Sequence, residues 1–206
     1  MATFSHDFLG PYPGRYATDN SGGSTQTTGT WGAVLATAAT GVSYRSISDP
    51  GLTDNFNIYD HNPYFTFTGL SYIGGTTTQS QVGMGAVYNY FNTTIDANGK
   101  GFGFRFYISG GVTFTEGYAK NTATGIQTVD LAYTGNAGAT DVYTARLTSN
   151  SKVEFFINDI KKGEITTGLP TGNPYMSMWR TAVTQTAGTL ASQLNLNMLK
   201  YGYTVS

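Results

Sequence analysis

Residues Asp141 to Pro170 read DVYTARLTSNSKVEFFINDIKKGEITTGLP, and the reading of this stretch decides the fold. Tyr143, Ala145 and Leu147 alternate with polar neighbours, the period of a strand buried on one face. Ser149-Asn150-Ser151 is a turn cluster, after which Val153, Phe155 and Ile157 alternate again. Asn158-Asp159 is a two-residue hairpin signal, and Ile160 to Ile165 returns as a third strand carrying Lys161, Lys162 and Glu164. A three-residue first loop sets Leu147 opposite Val153, Ala145 opposite Phe155 and Tyr143 opposite Ile157. That register gathers every apolar side chain on one face, whereas a slip by one residue would bury Arg146 and Glu154. A β-meander with one apolar face needs a second sheet to cover it.

Upstream, Phe102, Phe104, Phe106 and Ile108 form the most apolar face in the chain. Burying each contributes roughly 1.5–3 kcal/mol, which makes this a central strand. The hairpin that follows, around Gly110-Gly111, has two registers. A two-residue loop sets Arg105 opposite Glu116. A three-residue loop sets Phe106 opposite Phe114 and Ile108 opposite Val112. A partly exposed ion pair offers about 0–1 kcal/mol, less than mismatched aromatic faces lose, so the three-residue loop is expected.

Further strands are expected at Trp31 to Thr40 (alternatively a short helix), Val42 to Ile47, and Tyr64 onward after Pro63. Another runs from Gln81 to Phe91, with Val82, Met84, Ala86, Tyr88 and Tyr90 on one face. Ile126 to Tyr133 and Tyr175 to Arg180 are strands as well, the latter followed by a loop over AVTQTAG. In the tail from Leu190, Leu194, Leu196 and Met198 alternate with polar residues, and the interior Asn residues disfavour a helix. A change of face then suggests a bulge near Lys200.

Residues 1–28 hold Phe4, Phe8, Tyr12 and Tyr16 among Pro11, Pro13 and Gly14, and proline rules out a central strand here. This extended segment reads either as irregular chain packed along the domain edge or as a docking arm whose aromatics form an interface with a neighbouring subunit. Residues 29–206 read as one all-β antiparallel β-sandwich.

Composition narrows the function classes. The chain has 206 residues and no cysteine, which removes disulfides, thiolate zinc sites and thiol nucleophiles. Net charge is −1 with 11% charged residues, scattered along the chain, which argues against nucleic acid as a partner. No run approaches the ~20 apolar residues of a membrane span, and the N-terminus lacks the order of a signal peptide. Abundant hydroxyl and amide groups with little charge suit a surface packed among copies of itself, and equally a sugar-binding one.

The meander followed by Gly168-Leu169-Pro170 resembles the signature hairpin of concanavalin A-like (laminin-G-like) jelly rolls. In that family Ile-Asn-Gly leads to a short return strand and Leu-Pro; here Asn158-Asp159 stands where Asn-Gly is usual. The order of Pro63 to Thr68, Gln81 to Tyr88 and Phe102 to Tyr107 is similar to jelly-roll domains of bacteriophage virion proteins. The resemblance implies a non-enzymatic structural protein of the virion, as capsid decoration or part of a tail or fibre. It also implies a homo-oligomer, a trimer being favoured, in contact with other virion proteins and made in the host cytoplasm.

The alternative is a lectin-like carbohydrate-binding module for host-surface polysaccharide. A polysaccharide-degrading enzyme ranks third, because fold alone does not specify activity. The chain lacks the Glu-x-Asp-x-x-Glu run of laminarinase-like jelly rolls, and neither His6 nor His61 follows Gln-x as in alginate-lyase-like ones. Glu116 with Arg105 and Tyr107 is the nearest approach to a polar catalytic face, and structural polar residues on an exposed sheet face are the favoured reading of the three.

Trp31, Tyr88, Tyr90, Tyr107 and Trp179 are candidates for stacking sugars, against the alternative of core or interface packing. Asp54, Asn57 and Asp60, with Asn55, offer oxygens for calcium, though their spacing matches no calcium loop and turn-forming Asx residues are the favoured explanation. Calcium is the one cofactor the sequence suggests. With two histidines and no cysteine, no zinc centre is expected.

Overall fold

The computed structural model describes residues 2–9, 16–21, 25–29, 32–36, 41–48, 57–72, 78–84, 100–109, 112–121, 125–133, 141–171, 178–185 and 193–205. Side chains are described at 57, 59–69, 82–83, 100–107, 114–121, 125–133, 141–171, 200 and 202–204. In chain order the strands are β1 (Ala2–Leu9), β2 (Tyr16–Ser21), β3 (Thr25–Gly29), β4 (Gly32–Ala36), β5 (Gly41–Ser48), β6 (Tyr64–Tyr72), β7 (Thr78–Met84) and β8 (Gly101–Ser109). They continue as β9 (Val112–Asn121), β10 (Gly125–Asp130), β11 (Val142–Thr148), β12 (Lys152–Ile157), β13 (Ile160–Ile165), β14 (Met178–Gln185) and β15 (Gln193–Val205), with a 3₁₀ turn at Ile58–His61.

These strands build two antiparallel sheets. The eight-stranded sheet runs β13-β12-β11-β6-β15-β4-β3, with β1 also paired to β15; the seven-stranded sheet runs β10-β9-β8-β7-β14-β5-β2. No helix among the described residues is long and apolar enough to cross a membrane.

The meander takes the expected register: Tyr143 faces Ile157, Ala145 faces Phe155, and Leu147 faces Val153. Both residues of the second turn, Asn158 (φ 51°) and Asp159 (φ 62°), are left-handed, the backbone of a type I′ hairpin. A bulge in β12–β13 between Phe155 and Phe156 leaves Lys162 without a cross-strand partner.

The β8–β9 hairpin corrects the sequence expectation. Its loop has two residues, so Arg105 pairs with Glu116, Tyr107 with Phe114 and Phe106 with Thr115. The opposite sheet supplies the reason. Phe155 fills the space over β9, and a β-carbon on Gly117 would lie 2.5 Å from its ring. The inner face of β9 must therefore be small, and the observed register gives it Thr115, Gly117 and Ala119. Phe114 moves to the outer face, where it stacks on Tyr107 with ring centroids 5.1 Å apart.

Three other segments differ from expectation. The N-terminal residues contribute strands to both sheets. β1 runs antiparallel to the second half of β15, β2 forms the far edge of the seven-stranded sheet, and β3 that of the eight-stranded sheet. Each of these strands has a single pairing partner, so none is a central strand, in keeping with the proline argument. Residues Ala182 to Gln185, expected in a loop, lie in β14 between β5 and β7. The tail is one long strand, and its register against β6 shifts between Leu196 and Met198, three residues before the expected bulge.

The core is aromatic and dry. Phe65, Phe67, Tyr143 and Phe155 from the eight-stranded sheet meet Phe102, Phe104 and Phe106 from the seven-stranded one, all at most 5% exposed. Phe67 stacks on Tyr143 at 4.9 Å, and Phe104 meets Phe155 edge-on at 5.4 Å. Such pairs add about 0.5–1.5 kcal/mol each beyond area burial. Tyr59 of the 3₁₀ turn joins this core and donates from its hydroxyl to the Lys100 carbonyl at 3.0 Å, pinning the turn to the start of β8.

Candidate functional site

With the phenylalanines of β8 pointing inward, Arg105 and Tyr107 point out of the seven-stranded sheet, as Glu116 does from β9. Arg105 Nη2 donates to Glu116 Oε2, and Tyr107 Oη donates to Glu116 Oε1 at 2.9 Å. The Arg105 guanidinium lies 4.6 Å from the centroid of the Tyr107 ring. Both carboxylate oxygens of Glu116 are thus held by fixed donors, and the side chain is only 12% exposed.

Asp130, at the end of β10, stands directly across from Glu116. It is exposed, and its Oδ1 accepts the Ala132 amide at 2.8 Å. Burial raises the Tyr107 phenol above its usual value. The hydrogen bond to Glu116 and the charges of Glu116 and Asp130 push the same way, against Arg105. The hydroxyl is therefore a proton donor through the neutral range.

Sheet order extends this cluster into a row. Across the seven strands, Asp130, Glu116, Arg105, Gln81, Ala182, Tyr44 and Asp19 occupy successive register partners on one face. Beside it, Tyr118 lies over Gly103 and Gly83, where β-carbons would come within 2.6 Å and 1.8 Å of its hydroxyl oxygen. The two glycines create the space in which this tyrosine is buried on the outer side of the sheet.

A second charged cluster lies on the outer face of the eight-stranded sheet. Glu154, 4% exposed, accepts from Arg146 Nε at 2.9 Å and from Lys152 and Lys161 Nζ at 3.0 Å each. Thr148 Oγ1 adds a fourth donor at 3.3 Å. Burial alone would raise this carboxyl, but the hydrogen bonds from Lys161, Lys152 and Arg146 outweigh it and bring it down to about 2. All its acceptor capacity is used internally, so this cluster ties the meander together and offers no open carboxylate.

Among the candidate sugar-stacking aromatics, Tyr107 lies on the outer face, already stacked on Phe114 and contacted by Arg105. Trp179 is in register with Met84, itself opposite Phe102, and so shares a position with the inner face. Trp31, Tyr88 and Tyr90 lie outside the described residues, as do Asp54 and Tyr12.

The Asn57 and Asp60 oxygens serve the 3₁₀ turn. Asn57 Oδ1 accepts the Tyr59 amide, while Asp60 accepts from Asn57 Nδ2 at 2.7 Å and from Asn150 Nδ2 at 2.8 Å. The described residues contain no group of three or more His, Cys, Asp or Glu side chains placed to hold a metal. Phe4 and Phe8 are in register with Tyr203 and Leu199, and Tyr16 with Ile47.

The sequence reading missed Asp130 and the row leading to Asp19. Only the sheet order reveals them, because their positions are scattered over the chain.

No family model matches the chain, and no curated protein does. Solved structures do match it in fold. A Bacillus licheniformis β-glucanase superposes with TM-score 0.61 at 11% identity, over 100% of this chain and 99% of that one. A lichenase from a mouse hindgut metagenome gives 0.64 at 7% identity, over 98% and 99%. An alginate lyase from Pseudomonas aeruginosa gives 0.60 at 9% identity, over 86% and 85%.

At these identities the likeness establishes the fold, the concanavalin A-like jelly roll expected from the meander. It also corrects the functional expectation. Glucanases, polysaccharide lyases and a transglycosylase are among the similar structures, beside a protein of unknown function, and the comparison offers no link to a phage particle. The reading as a non-enzymatic virion component, whether capsid decoration, tail or fibre, is overturned, and so is the rank that put an enzyme last.

Proposed function

We propose that the protein is a glycoside-cleaving enzyme that lays a polysaccharide across the outer face of the seven-stranded sheet, with Glu116 and Asp130 as its carboxyl pair. One observation carries this reading. Glu116 is gripped on both oxygens by Arg105 and Tyr107, and Asp130 sits directly opposite on the next strand. Opposed side chains of an antiparallel pair have β-carbons about 4.5–5.5 Å apart, close enough for their carboxyls to reach the spacing of about 5 Å that a double-displacement glycosidase requires.

In this scheme Glu116, oriented by its two donors, attacks the anomeric carbon. The exposed Asp130 protonates the departing glycosidic oxygen and then activates water to release the sugar. A neutral glycan suits the site better than a polyuronate, because Arg105 is committed to Glu116 and is not available to neutralise a substrate carboxylate. The fold likeness to glucanases supports the same choice.

The test is reducing-end release from mixed-linkage β-glucan and laminarin by the full chain, beside Glu116→Gln and Asp130→Asn. Each substitution is expected to lower the rate by about 10²–10⁴-fold. An inactive native chain, or variants as active as it is, rejects the proposal. Unsaturated products from alginate would replace hydrolysis with elimination.

A further inference from the structure

We infer that the outer face of the eight-stranded sheet carries a second, non-catalytic groove for a neutral glycan chain. An open groove of about 610 Å³ lies over β6 and β11. It is walled by Asn62, Tyr64, Thr66, Thr144, Arg146 and Asp159.

The register makes it a built surface. Tyr64 stands opposite Arg146, and Thr66 opposite Thr144, with the two hydroxyls 2.9 Å apart. Because Phe65, Phe67, Tyr143 and Ala145 alternate inward, every one of these strand residues points to solvent. The groove follows β11 from the Asn62 end, where Asn62 Oδ1 accepts the Ser149 amide, towards the Asp159 turn. Four to six residues of strand make it about 13–20 Å long, enough for a short run of sugar rings.

The lining chemistry selects the ligand. Hydroxyls and an amide both donate and accept, and the half-exposed Tyr64 ring offers a flat apolar face beside them. An anionic ligand is disfavoured, because Arg146 is already ion-paired to Glu154 and Asp159 adds a negative charge to the wall. More carbon than oxygen or nitrogen is exposed along the groove, and the carbon face of a sugar ring would cover it while its hydroxyls meet the threonines and Asn62. A neutral polyhydroxylated chain satisfies these groups without stranding a charge. The groove rests on the proposed function only for the class of ligand. Lying on the other sheet, it would hold the polymer away from the cleavage site.

The experiment uses the full chain with Glu116→Gln, so that the polymer is not consumed, in affinity electrophoresis through gels containing mixed-linkage β-glucan. The Glu116→Gln protein should be retarded. Adding Tyr64→Ala, or Thr66→Ala with Thr144→Ala, should weaken retention by about tenfold, equivalent to a few lost hydrogen bonds. Tyr64→Phe should retain it, and urea midpoints of all variants check folding.

In the otherwise native background the groove variants should cleave a short soluble oligosaccharide at the unaltered rate while losing rate on the polymer. No retardation of Glu116→Gln, or retardation that ignores the groove substitutions, overturns the inference. Retardation that depends on the groove in a chain without hydrolytic activity would uphold it while rejecting the catalytic reading.

Discussion

Gly117 lies directly under the ring of Phe155, so close that a β-carbon there would stand 2.5 Å from Cδ2 and Cε2. That contact joins the two sheets, and Phe155 also meets Phe104 edge-on at 5.4 Å. Neither ring can yield without moving its sheet. Gly117→Ala should therefore destabilise the fold by about 1–3 kcal/mol through overpacking, measured as a fall in the urea midpoint. Adding Phe155→Leu should recover part of that loss, because the two changes share one space and are not additive. A Gly117→Ala protein as stable as the native one would mean that the sheets are not pressed together here.

Glu154 makes stability depend on acid. Its folded carboxyl is lowered to about 2 from an ordinary 4.5. The native state therefore binds this proton less readily than the unfolded chain. The contribution is fully present above about pH 4.5 and is lost as pH falls towards 2. Its partners Arg146, Lys152 and Lys161 are 51%, 34% and 42% exposed, so screening trims the contribution to about 1–2 kcal/mol. Glu154→Gln should cost that much at neutral pH and nothing near pH 2, in parallel urea titrations. A constant difference between the two proteins across that window contradicts the assignment.

The parts of this fold legible in the sequence are those where one strand pair had a single way to hide its apolar residues. In β11–β12, Tyr143, Ala145 and Leu147 against Val153, Phe155 and Ile157 leave no second register. In β8–β9 two registers compete, and the choice depends on Phe155, which is 38 residues beyond Gly117 and on the other sheet. No local pattern carries that information. The polar edge strands β2 and β3 went unread for a related reason. YATDNS and TQTTG have no apolar face, and only their pairing with β5 and β4 makes them strands. The candidate site was half legible: Arg105, Tyr107 and Glu116 could be grouped from the hairpin, whereas Asp130 needed the β9–β10 register.

Tyr107 separates a working site from a structural ion pair. Its hydroxyl donates to Glu116 at 2.9 Å, and burial together with that bond raises the phenol. Tyr107→Phe keeps the ring that stacks on Phe114, so folding stability should change by no more than about 1.5 kcal/mol, the net value of one hydrogen bond. If Glu116 is the nucleophile, losing the donor that orients its carboxylate should lower kcat by about ten- to a hundredfold. The sign for pH follows from the raised phenol: this donor is present throughout the neutral range and is lost only when pH rises above the ordinary tyrosine value. Steady-state kinetics on mixed-linkage β-glucan decides the matter, and a variant with native kcat removes Tyr107 from the reaction.

The Asn158-Asp159 turn divides its labour unequally. Asn158 donates from its amide to the Val142 carbonyl at 2.8 Å, accepts the Val142 amide on Oδ1 at 2.9 Å, and donates from Nδ2 to Asp141 at 3.0 Å. The other oxygen of Asp141 accepts from Tyr133 at 2.6 Å, a bond that, with burial, pushes the Tyr133 phenol up to about 12. The turn is thereby clamped to the start of β11. Among the described residues the Asp159 side chain makes no hydrogen bond, yet its φ of 62° is a conformation that favours glycine. Asn158→Ala should lower stability by about 1–2 kcal/mol, for the loss of two side-chain hydrogen bonds at a partly exposed site. Asp159→Gly should raise it by about 0.5 kcal/mol, the relief of left-handed strain less the added freedom of the unfolded chain. Chemical denaturation of the two variants gives opposite signs if the side chain of Asn158 holds this hairpin. Equal and opposite failure, with Asn158→Ala neutral and Asp159→Gly destabilising, would assign the clamp to Asp159 instead.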